Sequence, residues 1–233
     1  GTLPVSITLQ NFGTNQITST TINWRLNGVL QTPVSWTGLL DTLTANSRRT
    51  SVTLHPGYTF AANTPYTILV WTSSPNGVTD PNTSNDSMTV TRKAAMSGTF
   101  TIGGSGATYP TFAAAITDLN LNGVCGPVVY NVRTGVYTEQ VSINAVSGTS
   151  ATNTITFQSE TGNKNDVTLT FASLSSTTPH TLLLNGADWM RFRNMTIEGT
   201  GATYARPVTI QGASTDNVFE GNTIRTNPAT SVT

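Results

Sequence analysis

Two stretches of the chain copy one another at a fixed offset. Thr181 to Gly199 reads TLLLNGADWMRFRNMTIEG, and Val208 to Thr226 reads VTIQGASTDNVFEGNTIRT. A shift of 27 residues places Leu183 over Ile210, Gly186 over Ala213, Phe192 over Phe219, Thr196 over Thr223 and Ile197 over Ile224. A repeat in the range of ~20–50 residues built from short strands is the signature of a solenoid. One coil cannot bury its own apolar face, so neighbouring coils must stack. The offset therefore predicts inward ladders Leu183/Ile210, Phe192/Phe219 and Ile197/Ile224, with Asn194, Asn217 and Asn222 at coil corners.

The residues before the repeat fit the same plan. Val128 to Val132, Val141 to Ile143, Ile155 to Phe157 and Val167 to Phe171 are runs of β-formers of strand length. One helix is expected, from Thr111 to Asn122. There Phe112, Ala115, Ile116 and Leu119 form a single apolar stripe at helical spacing. Pro110 or Thr111 opens it and Gly123 is its stop. Residues 93–97 read as a linker, so the second domain is expected over 98–233.

Residues 1–92 carry a different pattern. Val5, Ile7 and Leu9 alternate with polar residues, as do Ile22, Trp24 and Leu26, which is the period of a half-buried strand. Asn27-Gly28 is a hairpin turn signal. Val34 with Trp36, Val52 with Leu54, Tyr66 to Trp71, and Met88 with Val90 follow as further strands. About seven short strands separated by turns predict an immunoglobulin-like sandwich. Trp24, Trp36 and Trp71 are its expected buried aromatics. The fold class is all-β: an Ig-like sandwich followed by a parallel β-helix.

Both halves resemble known families. Pro4 to Gly13 (PVSITLQNFG), Ile22 to Gly28 (INWRLNG), Pro75-Asn76-Gly77, Asp80 and Asn85-Asp86 resemble a CARDB-type module. Such modules are sandwiches found in tandem in bacterial and archaeal surface proteins, and the resemblance implies a spacer or binding role. Tyr109 to Ile116 (YPTFAAAI), Gly123 to Val132 (GVCGPVVYNV), Gly135 to Val141 (GVYTEQV) and Asn153 to Phe157 (NTITF) resemble the right-handed parallel β-helix of the pectate-lyase-like superfamily. The similarity is greater to helices of secreted Bacteroidetes surface proteins that lack evident catalytic residues. The resemblance implies that the helix from Thr111 to Asn122 caps the first coil at its N-terminal end.

Charge narrows the function classes. Lys plus Arg number 11 and Asp plus Glu 11, so the formal net charge is zero. Charged residues make up 9% of the chain, against a typical ~25%. Their place is taken by 46 Thr, 20 Ser and 21 Asn. A neutral chain has no electrostatic footprint for nucleic acid. No apolar run is long enough for a membrane-spanning helix. Cys125 is the one cysteine, so no internal disulfide is expected. This charge-poor, Thr- and Asn-rich composition suits an extracellular or cell-surface bacterial protein.

A glycosidase needs two carboxylates ~5–9.5 Å apart across the scissile bond. The second half offers Asp118, Glu139, Glu160, Asp166, Asp188, Glu198, Asp216 and Glu220. Asp188 and Asp216 come nearest to alignment, but both sit in turn-forming sequence and are expected to be turn residues. Asp80 to Asp86 spaces oxygen side chains as a calcium loop does. Asn85 and Thr91 stand where such a loop needs Gly and Glu, so a polar turn is expected. His55 and His180 are expected as surface or loop residues, and Cys125 as a buried or inert thiol. Gly103 to Gly106 is expected as a flexible turn, because no basic residue follows to hold a phosphate.

No catalytic residue, cofactor or metal ligand is therefore expected. Asp41-Thr42-Leu43 and Asp86-Ser87-Met88 resemble the acceptor triplet of Bacteroidetes protein O-glycosylation, which marks Thr42 and Ser87 as candidate modification sites. The expected function is a structural or adhesive module of a large surface or fibre-forming protein. The alternative is a polysaccharide-active lyase or hydrolase, or a carbohydrate-binding module. Residues 227–233 carry no helical stripe to cover the last coil. The β-helix is expected to be incomplete at that end, and the expected partners are further domains of the same polypeptide or identical subunits stacked head to tail, with polysaccharide as a further candidate partner.

Overall fold

The computed structural model describes residues 2–42 and 45–226. The chain divides into two compact units, residues 1–94 and 95–233.

The first unit holds seven strands among its described residues: β1 (Thr2–Gln10), β2 (Ile17–Leu26), β3 (Val29–Leu30), β4 (Val34–Leu40), β5 (Arg48–Thr59), β6 (Pro65–Ser73) and β7 (Ser87–Lys93). β1 and β5 form one antiparallel sheet. The other is antiparallel in the order β3-β2-β6-β7, with β4 also paired to β2. Asn27 and Gly28 join β2 to β3 with φ of 48° and 81°. Positive φ at both central residues is what a tight two-residue hairpin requires.

Alternation sets which side chains enter the core. Ile22, Trp24 and Leu26 of β2 are buried with Val5, Leu9, Leu40, Leu54, Tyr66 and Val70. The Trp24 indole donates to the Thr32 carbonyl at 3.1 Å, so its polar edge is not stranded in the core. Of the three expected buried tryptophans only Trp24 is buried. Trp36 is half-buried against the core, its ring lying so close to Gly38 that a Cβ there would come within 2.6 Å. Trp71 is half-buried outside the core, because Tyr66, Ile68 and Val70 take the inward parity of β6 and leave it on the other face.

The second unit is a parallel β-solenoid. Its strands are β8 (Met96–Ile102), β9 (Val124–Val132), β10 (Gly135–Thr138), β11 (Val141–Asn144), β12 (Ile155–Ser159), β13 (Val167–Phe171), β14 (His180–Asn185), β15 (Met190–Arg193), β16 (Thr196–Gly199), β17 (Arg206–Gln211), β18 (Val218–Glu220) and β19 (Thr223–Thr226). They form three parallel sheets, β8-β9-β12-β15-β18, β10-β13-β16-β19 and β11-β14-β17, about five turns deep. The 27-residue offset recurs in the pairs Val128↔Ile155, Phe192↔Phe219 and Ile197↔Ile224. The intermediate turn is longer because residues 160–166 and 172–179 extend two of its corners.

An aromatic ladder runs through all five strands of the first solenoid sheet. Phe100, Tyr130, Phe157, Phe192 and Phe219 follow one another, with ring centroids 5.7, 4.6, 5.4 and 5.0 Å apart. In the second sheet Tyr137, Leu169, Ile197 and Ile224 are in register.

The third sheet corrects one expected ladder. Leu183 pairs with Thr209, and Ile210 pairs with Leu184, so the Leu183/Ile210 alignment is one residue out. Leu182 and Leu184 are fully buried while Leu183 has the opposite parity. A run of three leucines satisfies either parity on paper. The cause of the slip lies in the next corner. Gly186 sits against Gly212, but the Ala187 amide donates to the Ser214 hydroxyl at 3.0 Å, so Ala213 is the inserted residue. It is accommodated at a left-handed φ of 59°.

Helix α1 (Phe112–Asn122) follows β8 and packs against β8 and β11, with the Phe112 ring 5.2 Å from Tyr137 of β10 and 5.9 Å from Phe157. Phe112, Ala115, Ile116 and Leu119 are its buried residues, the stripe expected from their spacing. The Thr111 hydroxyl accepts from the Ala114 amide at 3.1 Å. The Glu139 carboxylate, 27 residues further on, accepts from the Phe112 and Ala113 amides at 3.1 and 2.8 Å. A carboxylate here meets both the unpaired amides and the positive end of the helix dipole.

Candidate functional site

The carboxylates of the solenoid are distributed among structural tasks. Asp188 accepts from the amide and hydroxyl of Thr215 on the next coil, at 2.6 and 3.1 Å. Asp216 is exposed in the same corner with φ of 56°. Both are turn residues, as their sequence context suggests. Asp118 accepts from the Tyr109 hydroxyl and, at 2.7 Å, from Asn122. Burial first, then this carboxylate, pushes the Tyr109 phenol well above its ordinary range. Asp166 accepts from Thr161 and Asn163 at 2.6 and 2.9 Å within one corner. Glu160 lies 3.8 Å from Arg133. Glu220 and Glu198 pair with Arg193 and Arg225, each at 3.0 Å and each across one 27-residue step.

Asparagines perform the matching task at the corners. Asn217 accepts from the Met190 amide at 2.9 Å and donates to the Ala187 carbonyl at 2.8 Å. Asn222 repeats this on the Met195 amide and the Phe192 carbonyl, at 3.0 and 2.7 Å. Each supplies a donor and an acceptor that turning backbone cannot supply to itself. Asn194 takes the left-handed conformation, φ 51°. On the third sheet Asn144, Asn185 and Gln211 stand in file; Asn185 donates to Asn144 at 3.2 Å and Gln211 to Asn185 at 3.5 Å.

Both histidines differ from expectation. His55 lies on β5, half-buried in an aromatic group with Trp24 and Tyr58. His180 lies on β14 at 6% exposure, 3.4 Å from the Ser142 hydroxyl, and burial pushes its imidazole below the usual range. A lone His in sequence gives no sign of burial; here the strand parity of β14 puts it inside. Cys125 is exposed on β9, its thiol 3.3 Å from the Ala95 carbonyl. Gly103 to Gly106 is a turn laid against Tyr137 and Arg133, and the Arg133 guanidinium donates to the Ser105 carbonyl.

In the first unit the loop from Ser74 to Asp86 is tied to its neighbours by side-chain amides. Asn76, at φ 51°, accepts from Thr18 and Ser19 amides at 2.7 and 3.3 Å and donates to the Gln16 carbonyl at 2.7 Å. Asn11 is buried and ties the facing loop, donating to carbonyls of Asn15, Leu40 and Asp41 and accepting from the Gly13 amide. Between these loops lies a cavity of about 350 Å³, and beside it a second of about 390 Å³. Asp80 and Asp86 line both. Burial first, and Asp80 second, raise the Asp86 carboxyl above its ordinary range. Among the described residues no group of three or more His, Cys, Asp and Glu is placed to hold a metal ion.

The two candidate modification sites are in the first unit. Thr42 is half-buried, its amide donating to Asp41 at 2.8 Å, and Leu43 of that triplet lies outside the described residues. Ser87 is exposed at the start of β7 and lines the second cavity. No helix among the described residues is long and apolar enough to cross a membrane. No family model matches the chain, and neither a curated protein nor a solved structure matches it.

Proposed function

We propose that the chain is an extracellular structural or adhesive module of a bacterial cell-surface or fibre-forming protein, without catalytic activity in this region. In this reading the first unit is an Ig-like, CARDB-type sandwich. The second is a right-handed β-helix of the pectate-lyase-like type, and α1 caps its N-terminal end. The observation that carries the reading is the use made of the acidic side chains. Of the eight carboxylates in the solenoid strands, helix and corners, seven accept hydrogen bonds or ion pairs, six of them fastening one segment to another and Asp166 bracing its own corner. A carboxylate committed to holding backbone or Arg is poorly placed to exchange protons with a substrate.

Partners in this reading are further domains of the same polypeptide or identical subunits adding strands to the edge formed by β17, β18 and β19. Ile210 and Ile224 on that edge are 51% and 46% exposed. At the opposite end α1 packs against β8 and β11. Thr42 and Ser87 are the proposed O-glycosylation sites. Residues 227–233, on which the expectation of an uncapped end rests, lie outside the described residues.

The test is turnover. Purified protein incubated with polygalacturonate, alginate and neutral polysaccharides is expected to release no new reducing ends or unsaturated products. Release abolished by Asp188→Asn or Asp216→Asn would overturn the proposal.

A further inference from the structure

We propose that the cleft between the loops of the first unit binds a neutral saccharide, with Asp80 and Asp86 accepting hydrogen bonds from its hydroxyls and Trp71 offering a stacking surface. This deepens the adhesive reading by naming a ligand class, and rests on that reading for its biological sense. Three observations carry it. The first is shape: two adjoining cavities of about 350 and 390 Å³ share Thr72, Thr79, Asp80 and Asp86 as a common wall. Ligand sites for small molecules fall in the range ~300–1,000 Å³.

The second is rigidity. The loops that form the first cavity are fastened by Asn11 and Asn76, whose amides bond across the loops to Leu40, Asp41, Gln16, Thr18 and Ser19. A cleft already held open gives up little entropy when a ligand enters.

The third is chemistry. No Lys, Arg or His is among the described residues lining either cavity, whereas two carboxylates are. Such a wall repels phosphates, sulfates and uronates. It suits a ligand that is rich in hydroxyl donors and carries no negative charge. Asp80 uses one oxygen to hold the Asn82 amide at 2.8 Å; a carboxylate has further lone pairs to offer. Trp71 is a half-buried indole on the face of β6 turned away from the core, and it lines the second cavity. An aromatic face takes the C–H face of a pyranose while the polar wall takes its hydroxyls. Ser87 lines the same cavity, so a glycan attached there competes with an entering ligand.

The experiment is affinity electrophoresis of the unmodified 233-residue chain in gels containing laminarin, galactomannan, xyloglucan or polygalacturonate. The expected result is retardation by at least one neutral polymer and none by polygalacturonate. Trp71→Ala and Asp86→Asn should each weaken it by about tenfold or more, about 1.4 kcal/mol. Thermal unfolding establishes that each variant is folded, and Asp80→Asn and Asp86→Asn decide the matter if Trp71→Ala is not. Retardation by none of the neutral polymers, equal retardation by polygalacturonate, or retardation unchanged in the folded variants would overturn the proposal. So would binding of oligolysine in place of the saccharides, which would mean that charge alone is read. Shortening of the polymer during the run would count against the structural reading of the chain, whatever the binding result.

Discussion

Single residues mark where this solenoid departs from strict repetition. Ala213 is the extra residue in its corner and adopts φ of 59° on the exposed surface. A left-handed conformation costs a non-glycine residue ~1–2 kcal/mol, and glycine's extra freedom in the unfolded chain returns part of that. Ala213→Gly is therefore expected to stabilise the protein by roughly 0.5–1 kcal/mol, read from the midpoint of urea unfolding. His180 gives a pH signature. Its imidazole, depressed by burial, binds a proton less readily in the folded chain than in the unfolded one, where its pKa is ~6.5. Its contribution to stability is complete above that value and is lost as pH falls below it. Stability measured from about pH 8 down to about pH 5.5 should decline, and His180→Gln should flatten this part of the curve. An unchanged slope in the variant would show that other groups cause the decline.

Elements were legible in the sequence to very different degrees. The helix stripe of Phe112, Ala115, Ile116 and Leu119, the Asn27-Gly28 hairpin and the Phe192/Phe219 and Ile197/Ile224 ladders rest on local spacing, and the structure has each of them. Leu183/Ile210 failed because a one-residue insertion in a corner changes strand parity without changing composition. The upper rungs of the aromatic ladder are harder to read from sequence: Tyr130 and Phe157 keep the 27-residue offset, but extended corners separate Phe157 from Phe192, and α1 lies between Phe100 and Tyr130. The cleft in the first unit was illegible because Asn11, Asn76 and Asp86 meet only through folding. Two changes test the elements. Phe192→Ala removes a ring that is 1% exposed from the middle of the ladder and should cost about 3–5 kcal/mol. Glu139→Ala strips the acceptor from the first amides of α1 and should cost about 1–3 kcal/mol in chemical denaturation.

At the scale of the whole molecule, a low-charge chain builds two all-β units by two different rules. The first unit closes a small core between antiparallel sheets, with Trp24 at its centre. The second extends one core along an axis by repeating a turn, and uses Asn, Ser and Asp at corners and Arg–Glu pairs on faces to fasten each turn to the next. The second unit stands on this stacking and its register. Disulfide trapping tests it most directly, in a Cys125→Ser background. Leu183 and Thr209 are neighbours on adjacent turns with the same parity, whereas Ile210 has the opposite parity. Backbones of paired strands lie ~4.8 Å apart, within the span a disulfide bridges. Leu183→Cys with Thr209→Cys is expected to form an intramolecular disulfide under mild oxidation, and Leu183→Cys with Ile210→Cys is expected to stay reduced. Preferential bridging of the second pair, or of neither, would contradict the solenoid described above.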